Sequence, residues 1–251
     1  MQTKQEKLKE MSNLVIDIGS TALKAAWSDG VTLGKTFRYQ GERIPGFISG
    51  LVDKERPDMM VISTVKDLSA NDIRMLEESC GKLVLMDRNH TEETVAHGIF
   101  PYVSPDRTAS IIASRYLFKG KGCTVFDFGT AMTVDFTGPD GKYLGGNVSP
   151  GCRTRFKALS RYSRQFPLYD TPDIVRETGN SLQTSVESGV ISGLLFEIQG
   201  YIDKFKENTV VFTGGDAIYF AKRMKNSIFV VCNLVLMGLA LVADEYVKNT
   251  R

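Results

Sequence analysis

Two short stretches of this 251-residue chain repeat one another, and the repetition limits the folds open to it. The first reads Val15-Ile16-Asp17-Ile18-Gly19-Ser20-Thr21, the second Val125-Phe126-Asp127-Phe128-Gly129-Thr130-Ala131. Each is an apolar run carrying an aspartate and closed by a glycine turn. Each is followed by further extended runs with turn residues between them: residues 22–28 and 32–39 after the first, 132–136 and 143–148 after the second. One such turn is commonplace. Two, each opening a β-meander and each leading into a helix–strand series, predict an internal duplication. The polar, glycine-flanked Gly120-Lys121-Gly122 is the natural boundary. The expected organisation is a lead-in over 1–12 and two α/β domains over 13–120 and 121–251.

The remaining elements follow from periodicity. Residues 59–63 and 83–86 read as short strands, with an amphipathic helix over 70–80 between them. Residues 105–117 read as a helix, because Pro105 suits a first turn and Asp106 suits its positive end. In the second half, helices are expected over 153–162 and 181–208. A strand over 209–212, a Gly-Gly turn, a helix, a buried strand over 228–231 and a closing helix complete the pattern. The basic run Arg153, Arg155, Arg161 and Arg164 reads as a solvated helix face.

Composition removes several classes. At 42% hydrophobic and 24% charged the chain has material for a core, which excludes disorder throughout and a small disulfide scaffold. Lys plus Arg number 31 against 29 Asp plus Glu, and no long basic run occurs, so no nucleic-acid partner is expected. The near-apolar stretch 228–243 is broken by Asn233 and is short for a membrane span, so no membrane role is expected. Four widely spaced cysteines without zinc-like spacing read as reduced thiols in the cytoplasm.

A strand that ends in Asp and turns through Gly offers a carboxylate and backbone N–H groups together, and glycine lets the chain approach a phosphate closely. Ser20, Thr21 and Thr130 add hydroxyls, and Lys24 can reach a terminal phosphate as a point charge. Asp17 and Asp127 can hold a hydrated cation that bridges phosphate oxygens. Thr213-Gly214-Gly215, at a strand-to-helix junction, leaves room for the flat part of a nucleotide. Neither GxxxxGK[ST] nor GxGxxG occurs, which removes the Walker and Rossmann sites.

This layout resembles the acetate and sugar kinase/Hsc70/actin superfamily and, more narrowly, the type III pantothenate kinases. The first loop is Asp17-Ile18-Gly19-Ser20-Thr21 with Lys24 following, where Ser20 replaces the family's Asn. The second, Asp-x-Gly-Thr-Ala-x-Thr-x-Asp, stands intact from Asp127 to Asp135. The family's Gly-Gly-x-Ile-x-Pro-Gly appears as Gly145-Gly146-Asn147-Val148-Ser149-Pro150-Gly151. Its acceptor signature Gly-x-Asp-Arg appears as Ser104-Pro105-Asp106-Arg107, with His97 where the family has a tyrosine. Gly179-Asn180-Ser181 resembles a segment whose threonine contacts pantothenate.

The resemblance implies two duplicated ribonuclease-H-like domains with a cleft between them, an actin-like ATPase fold. It implies ATP-dependent phosphorylation of pantothenate, with Mg²⁺ and a monovalent cation, potassium or ammonium, as cofactors. Gly19, Ser20, Thr21, Lys24, Gly129 and Thr130 would then cradle phosphates. Asp17 would position Mg²⁺, and Asp127 would help hold the monovalent cation. Asp106 would be the base. Ser104, Arg107, Ser181 and His97 would line the acceptor pocket, and the assembly would be a homodimer with Ser181 reaching the partner's site. Two other readings remain open at this point: a different small-molecule kinase of the superfamily, and a non-catalytic nucleotide-binding regulatory protein on the same fold.

Overall fold

Alternating side-chain direction organises the first sheet. β1 (Asn13–Ile18) turns Leu14, Ile16 and Ile18 to one face, where they pack with Ile48 of α1 (Ile44–Val52) and Leu76 of α2 (Ala70–Glu78). Val15 and Asp17 fall on the other face. The structure, a computed structural model, describes residues 13–53 and 55–250, so the expected lead-in over 1–12 lies outside the described residues.

β1 pairs antiparallel with β2 (Leu23–Asp29), and β2 with β3 (Thr32–Tyr39). On its other side β1 runs parallel to β4 (Met59–Thr64), which runs parallel to β5 (Lys82–Met86). The order is therefore β3-β2-β1-β4-β5. All six residues of β4 are buried, as a strand covered on both faces requires. Its Met60 and Ile62 are wholly buried, each contributing about 1.5–3 kcal/mol through removal from water. After β5 come α3 (Glu92–Ala96) and α4 (Pro105–Leu117).

The second sheet repeats this plan. β6 (Cys123–Phe128) pairs antiparallel with β7 (Ala131–Thr137), which pairs with β8 (Tyr143–Pro150). After α5 (Cys152–Tyr162) and α6 (Leu182–Lys204) the chain returns as β9 (Thr209–Gly214), parallel to β6. After α7 (Ala217–Ala221), β10 (Ile228–Val230) runs parallel to β9. The order β10-β9-β6-β7-β8 matches the first sheet strand for strand. Phe126 and Phe128 occupy the apolar face of β6 with Phe212 and Phe220. Phe128 meets Phe212 nearly edge-on, with ring centroids 4.8 Å apart. Three antiparallel strands continued by two parallel ones, twice over, is the duplicated ribonuclease-H-like architecture.

Two compact units result. One holds the described residues up to Ala113 together with those from Leu234 onward; the other is Ser114–Asn233. The sequence reading placed everything from 121 in the second domain, but α8 (Leu234–Thr250) packs on β1, β4, β2 and β3. Its buried Leu236, Leu239, Ala240 and Ala243 cover the face of the first sheet opposite α1 and α2. Gly238 lets α8 also press on α4, because a Cβ there would lie 2.7 Å from Ala109 Cα. The strand expected to be buried at 228–231 is instead an edge strand, with Phe229 and Val230 exposed. α1 and α3 are helices that the sequence reading did not anticipate. Among the described residues no helix is long and apolar enough to cross a membrane.

Candidate active site

The first unit carries the first aspartate turn at the end of its central strand. Asp17 lies opposite Lys24 in the antiparallel register and opposite Ser63 in the parallel one. Ser63, fully buried, donates its hydroxyl to Asp17 Oδ1 at 3.3 Å. The Gly19 N–H donates to Ala22 O at 3.1 Å and closes the turn, leaving Ser20 and Thr21 exposed. Lys24 is half-buried on β2. Ser63 was not singled out in the sequence, since only the strand pairing brings it to Asp17.

The Ser104-Pro105-Asp106-Arg107 segment lies in the same unit at the start of α4. Asp106 is half-buried, and its Oδ1 accepts the backbone N–H of Arg107 at 2.9 Å. Arg107 itself is 7% exposed. Two residues beyond Asp106, Thr108 shares a buried hydroxyl–hydroxyl hydrogen bond of 3.1 Å with Thr94 of α3, which fixes this end of α4. A cavity of about 270 Å³ opens beside it, lined by Thr64, Lys66, Asp87, Arg88, Ser104 and Pro105 among others. The cavity thus spans the ends of parallel strands β4 and β5, the usual ligand position in open α/β sheets.

Ser104 lines that cavity, whereas His97 is not among its lining residues. The His97 ring lies 3.5 Å from Glu245 and 4.0 Å from Glu93, on the side of α8. Tyr246 donates its hydroxyl to the same Glu93, and this carboxylate, with burial adding to its effect, pushes the phenol up to about 12. Asp87 feels burial, which raises it. Hydrogen bonds from the Asn89 and His90 backbones and the His90 ring outweigh burial and hold its carboxyl below the usual range.

The second unit gathers the other motifs. β6 carries Asp127 as its penultimate residue, opposite Thr133 on β7 and Thr213 on β9. Thr213 therefore occupies the register position of Ser63 in the first sheet. Gly214 adopts φ +91°, and a Cβ there would lie 2.5 Å from Phe128 O and still closer to Asp127 Oδ1. The Gly215 N–H donates to Phe128 O at 2.9 Å. The Thr-Gly-Gly segment is thereby moulded onto the second aspartate turn.

Gly129 and Thr130 are exposed at that turn. The Thr130 carbonyl accepts the Gly151 N–H at 3.0 Å and the Thr154 hydroxyl at 2.6 Å. This explains the glycine ending the Gly-Gly-x-Val-x-Pro-Gly stretch, because a Cβ on Gly151 would lie 2.8 Å from the Thr130 oxygen. The Thr133 hydroxyl is buried and has no hydrogen-bond partner among the described residues. Burial pushes the Asp216 carboxyl up at the start of α7.

Ser181 has a local duty: its hydroxyl caps α6 by accepting the Thr184 N–H at 3.2 Å, and the Thr184 side chain returns the bond. A cavity of about 530 Å³ in this unit lies between α5 and α6 among apolar residues such as Leu159, Phe166 and Leu182. It contains none of the predicted site residues. In the basic run, Arg155 pairs with Glu197, and Arg153 lies 3.8 Å from Asp170.

Duplicated mixed sheets, each with a carboxylate-bearing glycine turn at the end of its central strand, define a protein of the actin-like ATPase and sugar kinase fold. Solved structures agree. A ROK hexokinase from Thermus thermophilus matches with a TM-score of 0.56 at 15% identity, over 95% of this chain and 100% of the other. The activator of 2-hydroxyisocaproyl-CoA dehydratase from Clostridium difficile, with bound ADPNP, matches with a TM-score of 0.55 at 14% identity, over 96% and 97%. At such identities the likeness is one of fold.

The sequence is more specific. The pattern describing type III pantothenate kinases matches residues 13–204. A type III pantothenate kinase of Flavobacterium johnsoniae is 30% identical over 94% of this chain and 99% of its own length. One of Phocaeicola vulgatus is 34% identical over 90% and 96%. The chain belongs to the type III pantothenate kinase family.

Proposed function

We propose that this chain transfers the γ-phosphoryl group of ATP to the 4′-hydroxyl of pantothenate, the first step of coenzyme A biosynthesis. The observation that carries the reading is family membership across residues 13–204, in a chain that keeps both aspartate turns and the Asp106-Arg107 pair.

In this reading the turns at Gly19, Ser20, Thr21 and at Gly129, Thr130 take the phosphates through backbone N–H groups and hydroxyls, with Lys24 adding charge. The Thr213–Gly215 segment leaves a surface without side chains for the nucleoside. Asp106 orients the pantothenate hydroxyl and accepts its proton as transfer proceeds, because an unassisted alcohol is a poor nucleophile. Ser104 shapes the cavity wall. Arg107, with its forked guanidinium, pairs with the pantothenate carboxylate, and Ser181 and His97 help hold the substrate.

Among the described residues no group of three or more His, Cys, Asp or Glu forms a metal cage. Asp17, with buried Ser63 beside it, instead suits a Mg²⁺ that keeps most of its water, as this ion prefers. Asp17 would hold the ion through its water shell, and an ion held there would supply positive charge to offset that of the phosphates. Asp127, with the unpartnered Thr133 hydroxyl in register beside it, suits a monovalent cation. The expected setting is the cytoplasm, and the expected assembly a homodimer, which sedimentation measures.

A coupled assay of ADP release with pantothenate, run with and without potassium, tests the reading. Pantothenate-dependent turnover that rises with potassium is expected. ADP release that ignores pantothenate but follows a hexose would overturn it, as would nucleotide binding with no turnover at saturating pantothenate.

A further inference from the structure

Lys66 stands where the phosphate turn and the acceptor cavity adjoin within the first unit. Thr64 ends β4 in register with Ile18, and the next residue, Val65, donates its N–H to Ile18 O at 3.2 Å. The segment leading into Lys66 is thus bonded to the residue just before Gly19. The same segment is closed on itself: the Lys66 N–H donates to Thr64 Oγ1 at 3.0 Å, and that hydroxyl donates to Lys66 O at 2.9 Å. On its other side Lys66 lines the cavity with Ser104 and Pro105, the residues directly before Asp106.

The charges of that cavity single out Lys66. Arg88 pairs with Asp67 at 2.9 Å. Asp87 spends its Oδ1 on the N–H groups of Asn89 and His90 and on the His90 ring. Lys66 forms no ion pair among the described residues. An exposed ammonium on a backbone pinned at both ends, between a phosphate turn and a base, is placed to meet negative charge that appears between them.

We propose that Lys66 is a further catalytic residue whose ammonium contacts the phosphoryl group during transfer. The inference rests on the pantothenate kinase reading above. In the step, the bond from phosphorus to the β–γ bridging oxygen breaks and its electrons leave with ADP. The bond from phosphorus to the acceptor oxygen forms, and the acceptor proton passes to Asp106. Lys66 keeps its proton throughout and forms no covalent bond. Its contribution is fixed positive charge beside the equatorial oxygens, which preorganised donors stabilise more in the transition state than in the ground state.

The test compares Lys66→Met, which keeps the length of the stem and removes the charge, with Lys66→Arg. In the coupled assay Lys66→Met is expected to lose about 10–100-fold in kcat, below the loss for a buried donor because the site is open to water. KM for ATP and for pantothenate should each stay within about threefold, and Lys66→Arg should recover most of the rate. A kcat equal to that of the parent overturns the proposal. So does a raised KM for pantothenate at unchanged kcat, which would assign Lys66 to the substrate carboxylate. A second measurement titrates ADP with and without aluminium fluoride, in the absence of acceptor. Lys66→Met should bind ADP as the parent does and lose the tightening that aluminium fluoride brings. Equal tightening in both proteins overturns the proposal. If the parent fails to phosphorylate pantothenate, the assay refutes the substrate reading, and this titration still decides Lys66.

Discussion

Replacing Gly214 by alanine isolates the most constrained contact of the second unit. The residue sits at φ +91°, where an L side chain is strained by about 1–3 kcal/mol. Its new methyl would lie 2.5 Å from Phe128 O, far inside van der Waals contact, and would press on Asp127 Oδ1. The carbonyl is the neighbour that cannot yield, so the Asp127 carboxylate must give way. The Phe128 carbonyl is fixed by the Gly215 N–H at 2.9 Å, and Phe128 itself is buried against Phe212 and Phe220. The added clash brings the expected loss to roughly 3–4 kcal/mol, the upper part of the range for single substitutions. At about 2–4 °C per kcal/mol, the melting temperature should fall by roughly 6–16 °C. Because Asp127 must move, turnover with ATP and pantothenate should fall at least tenfold even at temperatures where the variant is folded. Gly215→Ala is the matched control for melting, since its Cβ would meet Phe128 O at an ordinary 3.8 Å and its φ is not positive. Differential scanning calorimetry should separate the neighbours clearly, and the coupled assay compares Gly214→Ala with the parent. If Gly214→Ala melts like Gly215→Ala, the argument from close approach is refuted.

Asp106→Asn should keep the fold, because an amide oxygen can still accept the Arg107 N–H, while kcat drops by about 10²–10⁴-fold; nucleotide binding and turnover measured on one preparation check both halves. Ser181→Ala should cost about 1 kcal/mol in urea denaturation through loss of the α6 cap, and a KM for pantothenate that stays put would remove Ser181 from the acceptor site. Tyr246 holds its proton in the folded protein up to about 12, above the ordinary value near 10 for an unfolded tyrosine, so its contribution is intact below pH 10 and lost as pH climbs through 12. Thermal melts across that interval should fall less steeply for Tyr246→Phe than for the parent, and parallel curves would contradict the assignment.

What could be read from residue order was mainly what local physics decides. The apolar alternation of residues 14–18 and 123–128, each stopped by glycine, marks the two central strands directly. Pro105 and Asp106 mark the start of α4. α1 escaped notice because Pro45, Gly46 and Gly50 depress helix propensity across nine residues; burial of Ile48 against the sheet outweighs them. The site was partly hidden for another reason. Ser63, Lys66 and Thr154 carry no local signal, and each gains its meaning from a strand register or a turn formed with distant residues. Gly151 and Gly214 were visible as glycines, but the carbonyls that forbid a side chain there belong to residues 20 and more positions away. His97 was read from its place before Asp106, whereas its ring lies 3.5 Å from Glu245 on the helix that returns from the far end of the sequence.

That returning helix imposes an order of events on synthesis. The first sheet emerges from the ribosome early, yet the face that α8 will cover stays open to water until the entire second unit has been translated. Val15 and Val61 are wholly buried in the finished molecule, on the two strands that α8 contacts most. The first half of the chain thus completes its fold only once the second half has been made.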